Sequence, residues 1–352
     1  MARRIRGRGA AFNPPNRFEE LSREVLPDEE GEGTAGSVPT RYFTDTSRTI
    51  LARNDSPDVP FTWSINPYRG CEHGCIYCYA RPSHEYLGFS AGVDFETKIL
   101  VKPDAPRLLA RALGARTWEP QVVAFSGNTD PYQNVERRLR LTRRCLEVFL
   151  EYRNPVSIIT KNALVVRDAD ILQEMARMDL VHVMLSVTSL QEGLIRVMEP
   201  RTSTPALRLQ AIGELAARGI PVGVNVAPVI PGLTDEEIPA IVAAAAERGA
   251  RAASYILVRL PGPVERLFVE WLERELPARS ARVLGRIRQV RAGALTDSRF
   301  HRRMSGEGEI ADAIGALFAL AASRAKLSTR WLPLSTAHFR RKRAGQGDLF
   351  DR

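Results

Sequence analysis

Apolar, β-branched runs recur through the middle of the chain, at residues 122–125, 156–160, 181–187, 222–227 and 254–258. Between them, at 137–152, 168–178, 205–218 and 235–248, apolar residues return at intervals of three and four. That spacing puts them on one face of an α-helix. Gly219 and Gly249 stand where the third and fourth of these patterns stop, as C-terminal glycines do. With residues 61–66 as the first strand, six strands alternate with helices. Short strands that are apolar on both faces predict a parallel sheet with right-handed crossovers. Six such units predict an open (β/α)6 arrangement, a partial TIM barrel, with a doubly wound sheet as the alternative. In either fold, chemistry belongs at the C-terminal ends of the strands.

The flanking segments read differently. Residues 1–40 are rich in Arg, Gly, Pro and Glu without periodicity, and are expected to lack a packed structure for most of their length. The core is expected over 41–262, with a helical extension over 263–335 (264–276, 282–291 and 309–325) and an unstructured basic tail over 336–352. Of the formal charge of +9, four positive charges come from Arg3, Arg4, Arg6 and Arg8, and four from Arg340, Arg341, Lys342 and Arg343. The body is therefore almost neutral, and the two ends are the candidates for contact with an anionic polymer such as DNA, or simply solvated charge. No apolar run is long enough to cross a bilayer and no export signal is evident, so a cytoplasmic protein without membrane contact is expected.

Four cysteines do not make a disulfide framework, and three of them fall within Cys71-Glu72-His73-Gly74-Cys75-Ile76-Tyr77-Cys78. Clustering of this kind reads as metal binding in a reducing compartment. The segment follows the first strand, and Gly70 and Gly74 let it curl so that three thiolates can reach three corners of a cubane cluster. Structural zinc takes four ligands, commonly from two separated cysteine pairs, and no second pair exists; His73, on the same tight loop, is poorly placed as a fourth. Three ligands leave one iron open to a small molecule.

A Cys-x3-Cys-x-aromatic-Cys string after the first strand of a (β/α)6 pattern resembles the radical S-adenosylmethionine (SAM) superfamily. The wider string from Ser64-Ile65-Asn66-Pro67 onward resembles a bacterial branch grouped with spore photoproduct lyase. The resemblance implies a [4Fe–4S] cluster on Cys71, Cys75 and Cys78. Its open iron would bind the amino and carboxylate groups of SAM, whose reductive cleavage would give a 5′-deoxyadenosyl radical. It implies further that Tyr77 lies near the adenine and that a flavodoxin- or ferredoxin-type protein supplies the electron. Where many relatives carry Gly-Gly-Glu, this chain has Ser126-Gly127-Asn128-Thr129-Asp130, so that role passes only to the region, with Gly127, Asn128, Thr129 and Asp130 as candidates. Lys161 and Ser186, with Thr188, end the third and fourth strands, where they would meet the cofactor. Arg201 is the expected partner of the cofactor's carboxylate, which a guanidinium fork matches. The stretch 225–232 resembles the adenine-contacting edge.

Cys145 shares a helical face with Leu141, Val148 and Phe149 and reads as core. No cysteine remains for an auxiliary cluster, which leaves a single-cluster enzyme of lyase or transferase type. Its substrate is unnamed, with nucleic acid repair or modification in view. The alternative is a structural or electron-transfer cluster protein tethered to DNA. Gln346-Gly347-Asp348-Leu349-Phe350, behind the basic tail, resembles the peptide with which bacterial proteins dock on the DNA-polymerase sliding clamp, through Gln346, Leu349 and Phe350.

Overall fold

A computed structural model describes residues 4–18, 38–330 and 333–341. Its strands are β1 (Arg41–Thr44), β2 (Leu51–Arg53), β3 (Trp63–Ile65), β4 (Tyr68–Arg69), β5 (Lys98–Val101), β6 (Val123–Phe125), β7 (Val156–Thr160), β8 (Val181–Ser186), β9 (Val222–Val229) and β10 (Ala252–Leu257). The main sheet runs β2-β3-β6-β7-β8-β9-β10. Its six strands from β3 to β10 pair in parallel, and β2 caps the β3 edge antiparallel. Spatial order follows chain order without reversal. That is the winding of an open partial TIM barrel, and it excludes a doubly wound sheet, whose order reverses at a switch point. Cross-strand rows such as Ile65, Phe125, Ile158 and Val183 are completely buried, so burial fixes the register of the short strands.

The helices Leu141–Tyr152, Ala169–Ala176, Pro205–Ala217 and Ile238–Glu247 match the expected ones within a few residues. The first is shorter than its periodicity suggests. Arg140 adopts a left-handed conformation (φ +51°), which separates the short helix Glu136–Leu139 from it. A second small sheet, in the order β1-β5-β4, and the helix Ala105–Gly114 went unpredicted. β4 has two residues and β1 is exposed throughout, so neither carries a hydrophobic signature.

The extension forms the helices Pro263–Glu275, Pro277–Gln289 and Glu309–Arg324. It does more than pack outside the barrel. Val264, Leu267, Phe268, Trp271 and Leu272 share one core with Cys75, Ile76, Tyr77 and Met198. The Trp271 indole donates to the Val197 carbonyl at 3.0 Å.

Both ends need correcting where they are described. Residues 4–18 are packed: Arg8 is buried and gives its guanidinium to the carbonyls of Glu96 (2.8 Å) and Val38 (2.7 Å), so it is no solvated tail charge. Short-range periodicity cannot reveal contacts that bridge about ninety residues of sequence. At the other end, Arg340 Nε donates to the Glu151 carbonyl (2.8 Å) and Arg341 to that of Trp118 (2.9 Å). Arg3, residues 19–37, Lys342, Arg343 and the 346–350 peptide lie outside the described residues.

The N-terminal segment is locked by a close approach of backbones. A Cβ on Gly9 would lie 2.0 Å from the Gly74 carbonyl oxygen. A Gly9→Val substitution is expected to destabilise the docked segment by about 1–3 kcal/mol, the usual cost of overpacking. Limited trypsin digestion checks this: cleavage after Arg6 and Arg8 should accelerate in the variant, and equal rates would mean that the segment is not docked.

Candidate metal centre

The loop that follows β4 holds almost no regular structure, and its shape comes from contacts. Gly70 (φ +76°) and Gly74 (φ +66°) make the two reversals. A Cβ at Gly74 would press on the Glu96 carboxylate at 2.7 Å. The Cys71 N–H donates to the Phe95 carbonyl (2.9 Å), and the Ile76 N–H to that of Met198 (3.1 Å). Under the loop sits Arg81, completely buried. Its guanidinium donates twice to the Cys75 carbonyl (3.0 and 2.9 Å), to those of Ala91 (3.1 Å) and Gly92 (2.9 Å), and to Glu96 Oε1 (2.5 Å). The Glu96 carboxylate, also fully buried, accepts in addition the N–H groups of Gly9 (3.0 Å) and Ala10 (2.9 Å). A desolvated ion pair persists when its remaining donors and lone pairs are satisfied in this way.

Cys71 and Cys75 are buried and Cys78 half-buried, all as free thiols. Burial, then the neighbouring Cys71, pushes the Cys78 thiol up to about 11. Burial and the Glu199 charge raise Cys75 well above its ordinary value. Metal must therefore displace protons to bind here. His73 is committed elsewhere: Nδ1 lies 3.4 Å from Asp130 Oδ2, and Nε2 lies 3.3 Å from the Asn162 amide nitrogen. Burial opposes its charged form, but Asp130 and then Cys71 outweigh burial and raise its pKa to about 10. Among the described residues, no three His, Cys, Asp or Glu side chains converge on a single ion. Three thiols on one loop are a donor set that an iron–sulfur cluster accepts, since its thiolates bind separate irons, and the residues present fit that group.

The strand ends opposite the loop carry a second buried pair. Arg208 lies inside the helix Pro205–Ala217 and donates to Glu199 Oε2 and to the Ser186 carbonyl (2.9 Å), with both charged side chains buried. Oε1 of Glu199 accepts from the Tyr77 hydroxyl and from Thr188 Oγ1 (2.6 Å). Lys161 Nζ reaches the Ala227 carbonyl at 2.9 Å, stands 4.0 Å from Glu199 and 5.8 Å from the centre of the Tyr77 ring. Burial alone would raise the Glu199 carboxyl, but Arg208, then Lys161 and the hydroxyls, hold it down at about 2. Tyr77, Lys161 and Thr188 thus meet around a carboxylate that the sequence reading overlooked, while Ser186 is tied to the group only through its carbonyl, which accepts from Arg208. A signal existed in Arg208, which interrupts the apolar face Pro205, Ala211, Ile212, Leu215.

The remaining candidates divide. At the end of β6, Asn128 and Thr129 give their N–H groups to the Asn66 side chain (3.3 and 3.1 Å), and the Gly127 carbonyl accepts from Tyr79. The Asp130 carboxylate already accepts from Thr160 Oγ1 (2.7 Å), the Lys161 N–H (2.8 Å) and the Tyr132 N–H (2.8 Å) while facing His73. Its place is that of a brace between β6, β7 and the cysteine loop. Arg201 does not join the Tyr77 group. Its guanidinium turns to Thr40 (3.1 Å) and Glu72 (3.9 Å) and, with Arg6 and Arg8, lines a cavity of about 460 Å³. Cys145 is completely buried in the main core.

An open parallel barrel with three cysteines on the loop after its first parallel strand, facing a polar cluster at the strand ends, is a barrel with a candidate metal centre at its mouth. The sequence profile of the Radical SAM superfamily matches residues 65–245, and the chain belongs to that superfamily. An uncharacterized protein of Mycobacterium tuberculosis is 38% identical over 221 residues, which is 62% of this chain and 65% of that one. An uncharacterized protein of Methanocaldococcus jannaschii is 28% identical over 174 residues, 49% of this chain and 62% of that one. The match therefore spans a little under two thirds of either relative. In structure, the chain resembles spore photoproduct lyase complexed with dinucleoside spore photoproduct. The TM-score is 0.60 at 16% identity, over 85% of this chain and 83% of that one, a likeness of fold.

The Glu199 carboxyl gives a pH signature. Its pKa in the folded protein, about 2, lies below the ordinary 4.5, so the stability it contributes is present above pH 4.5 and is lost as pH falls toward 2. The difference corresponds to roughly 3 kcal/mol. Urea unfolding at several pH values should show this acid-linked loss in the wild type and its disappearance in Glu199→Gln. Parallel pH profiles would contradict the assignment.

Proposed function

We infer that this radical SAM enzyme holds one [4Fe–4S] cluster on Cys71, Cys75 and Cys78 and acts on a substrate seated over the C-terminal ends of β6 to β10. The observation that carries the reading is the cysteine loop fastened from below by Arg81 and Glu96 and facing the Tyr77–Glu199–Lys161 group. When bound, the cluster and SAM supply a one-electron cleavage that delivers a carbon radical for hydrogen abstraction. The chain's own residues do the rest. Arg81 fixes the Cys75 backbone, and Glu199 keeps Tyr77 and Lys161 in place at the strand ends. The buried aromatic and aliphatic wall around Ile76 and Met198 keeps water away from the loop. Lys161 is the cation best placed for the cofactor's carboxylate, a role the sequence assigns to Arg201. An electron-transfer protein of flavodoxin or ferredoxin type is the proposed reductant.

Replacing Cys71, Cys75 or Cys78 by Ala should abolish the cluster's visible absorbance and iron content together with 5′-deoxyadenosine release. Cys145→Ala should change neither. An intact, SAM-cleaving cluster in any of the three single variants would overturn the ligand assignment.

Nucleic acid is the proposed substrate class, and the tail 346–350 is a proposed tether to the sliding clamp. Burying Leu349 and Phe350 yields roughly 3–6 kcal/mol, against about 1–2 kcal/mol for each residue ordered, so the tether is weak and depends on nearby DNA for effective concentration. A peptide of residues 340–352 should bind purified clamp measurably, and its Leu349→Ala and Phe350→Ala versions should not. Equal binding by all three would remove the role.

A further inference from the structure

β10 leads into Val258 and then Arg259, at the far edge of the barrel mouth. The Arg259 guanidinium lies 5.5 Å from the centre of the Tyr79 ring, and Nη1 reaches the Met304 sulfur at 3.6 Å. Tyr79 directly follows Cys78, is half exposed, and donates its hydroxyl to the Gly127 carbonyl beyond β6. Its side chain therefore spans the mouth from the β6 side to the β10 side. Behind Arg259 stands Arg291, only 2% exposed. It donates to the carbonyls of Val258 (2.8 Å) and Arg302 (2.8 Å), and among the described residues its Nε has no hydrogen-bond partner.

The carboxylates of this region are already taken. Asp58 pairs with Arg303, Asp297 with Arg299, and Glu307 with both Arg299 and Arg302. Among the described residues, neither Arg259 nor Arg291 belongs to an ion pair. Burial lowers the Arg291 pKa to about 10, against the pull of Asp297 and with the help of Arg259. Burial, then Arg303, lowers that of Arg259. A buried and a partly buried cation that no carboxylate pairs directly among the described residues are unfavourable in the free protein. Such a pair, at the end of a barrel strand and beside the cluster loop, marks a place where a ligand brings the charge.

We propose that Arg259, backed by Arg291, is an anion subsite at the β10 edge of the mouth that takes a phosphate of the substrate. A guanidinium fork fits phosphate oxygens in two parallel hydrogen bonds. The half-exposed Tyr79 ring beside it adds aromatic surface suited to a base. The chemistry that both features recognise is a phosphodiester-linked nucleotide. Arg291 is a positioning residue: its bonds to the carbonyls on either side hold Arg259 in the mouth and add field. The inference rests on the reading that substrate sits over this mouth, and it sharpens that reading to a phosphate-bearing one.

The test uses the full chain loaded with cluster and SAM, titrated with a thymidine dinucleotide carrying one phosphodiester, with the same dinucleoside joined by a neutral linker, and with inorganic phosphate. Wild type should bind the dinucleotide about tenfold or more tightly than the neutral analogue, the discrimination expected of charge-assisted hydrogen bonds. Arg259→Gln should erase that preference and make the dependence of log K on log salt shallower by about 0.7. Arg259→Lys should retain part of the preference, and Arg196→Gln, at an exposed arginine paired with Glu192, all of it. Preferential binding of inorganic phosphate over the dinucleotide would assign the subsite to the free ion and overturn the nucleotide reading. Equal binding of dinucleotide and neutral analogue, equal salt slopes in wild type and Arg259→Gln, or failure of all probes to bind wild type would each overturn it. So would a variant that loses SAM affinity alone. Formation of 5′-deoxyadenosine in the same samples reports separately on the radical reading, whose failure would leave the phosphate preference intact.

Discussion

The cysteine loop depends on one buried ion pair. Between β4 and residue 81 the chain has little internal hydrogen bonding, so its backbone polar groups must find partners elsewhere or be left unsatisfied. Arg81 meets that need by spending every nitrogen on the Cys75, Ala91 and Gly92 carbonyls and on Glu96, while Glu96 takes up two N–H groups from residues 9 and 10. Such a pair contributes little net stability, because desolvation offsets the attraction. What it contributes is a defined shape. A hydrophobic pair of similar volume would fill the same space but leave the Cys75 carbonyl without a donor.

A similar device recurs on the opposite wall, where Arg208 and Glu199 hold Tyr77, Thr188 and the end of β8 together. The two pairs differ in reach. Arg81 and Glu96 join segments within the first hundred residues, whereas Glu199 links the cysteine loop to the ends of β7, β8 and β9 through Lys161, Thr188 and their shared contact with the Ala227 carbonyl. The loop is therefore fastened on one side by its own neighbourhood and on the other by the barrel.

The parts of this arrangement that were legible in the sequence are those written in periodicity and spacing. The parallel strands of the main sheet are largely apolar runs, and the cysteine spacing stands out in a chain with four cysteines. Long-range polar contacts leave no such trace. Glu96 and Glu199 look like ordinary acidic residues in sequence, and Arg81 and Arg208 are lost among so many arginines, although Arg208 on an apolar helix face was a readable anomaly. Arg201 illustrates the converse. Its place after β8 suggested a role at the mouth, but the turn that begins with Glu199 carries its side chain outward to Thr40 and Glu72. Residues 4–18 misled for a compositional reason: Gly and Arg read as unstructured, yet here Gly9 lets the backbone come close to Gly74, and Arg8 supplies carbonyls with donors.

Strand order that follows chain order has a bearing on how the protein is made. As the polypeptide leaves the ribosome, residues 8–10, the cysteine loop, Arg81 and Glu96 all emerge within the first hundred positions, before β6 exists to pair with β3. Met198, Glu199 and Arg208 follow a further hundred positions later. The nascent chain thus carries all three cysteines of the loop with one supporting wall well before it can close the other. During that interval of synthesis, the thiols are open to metal and to oxidants from the side that β8, β9 and their connecting turns later cover.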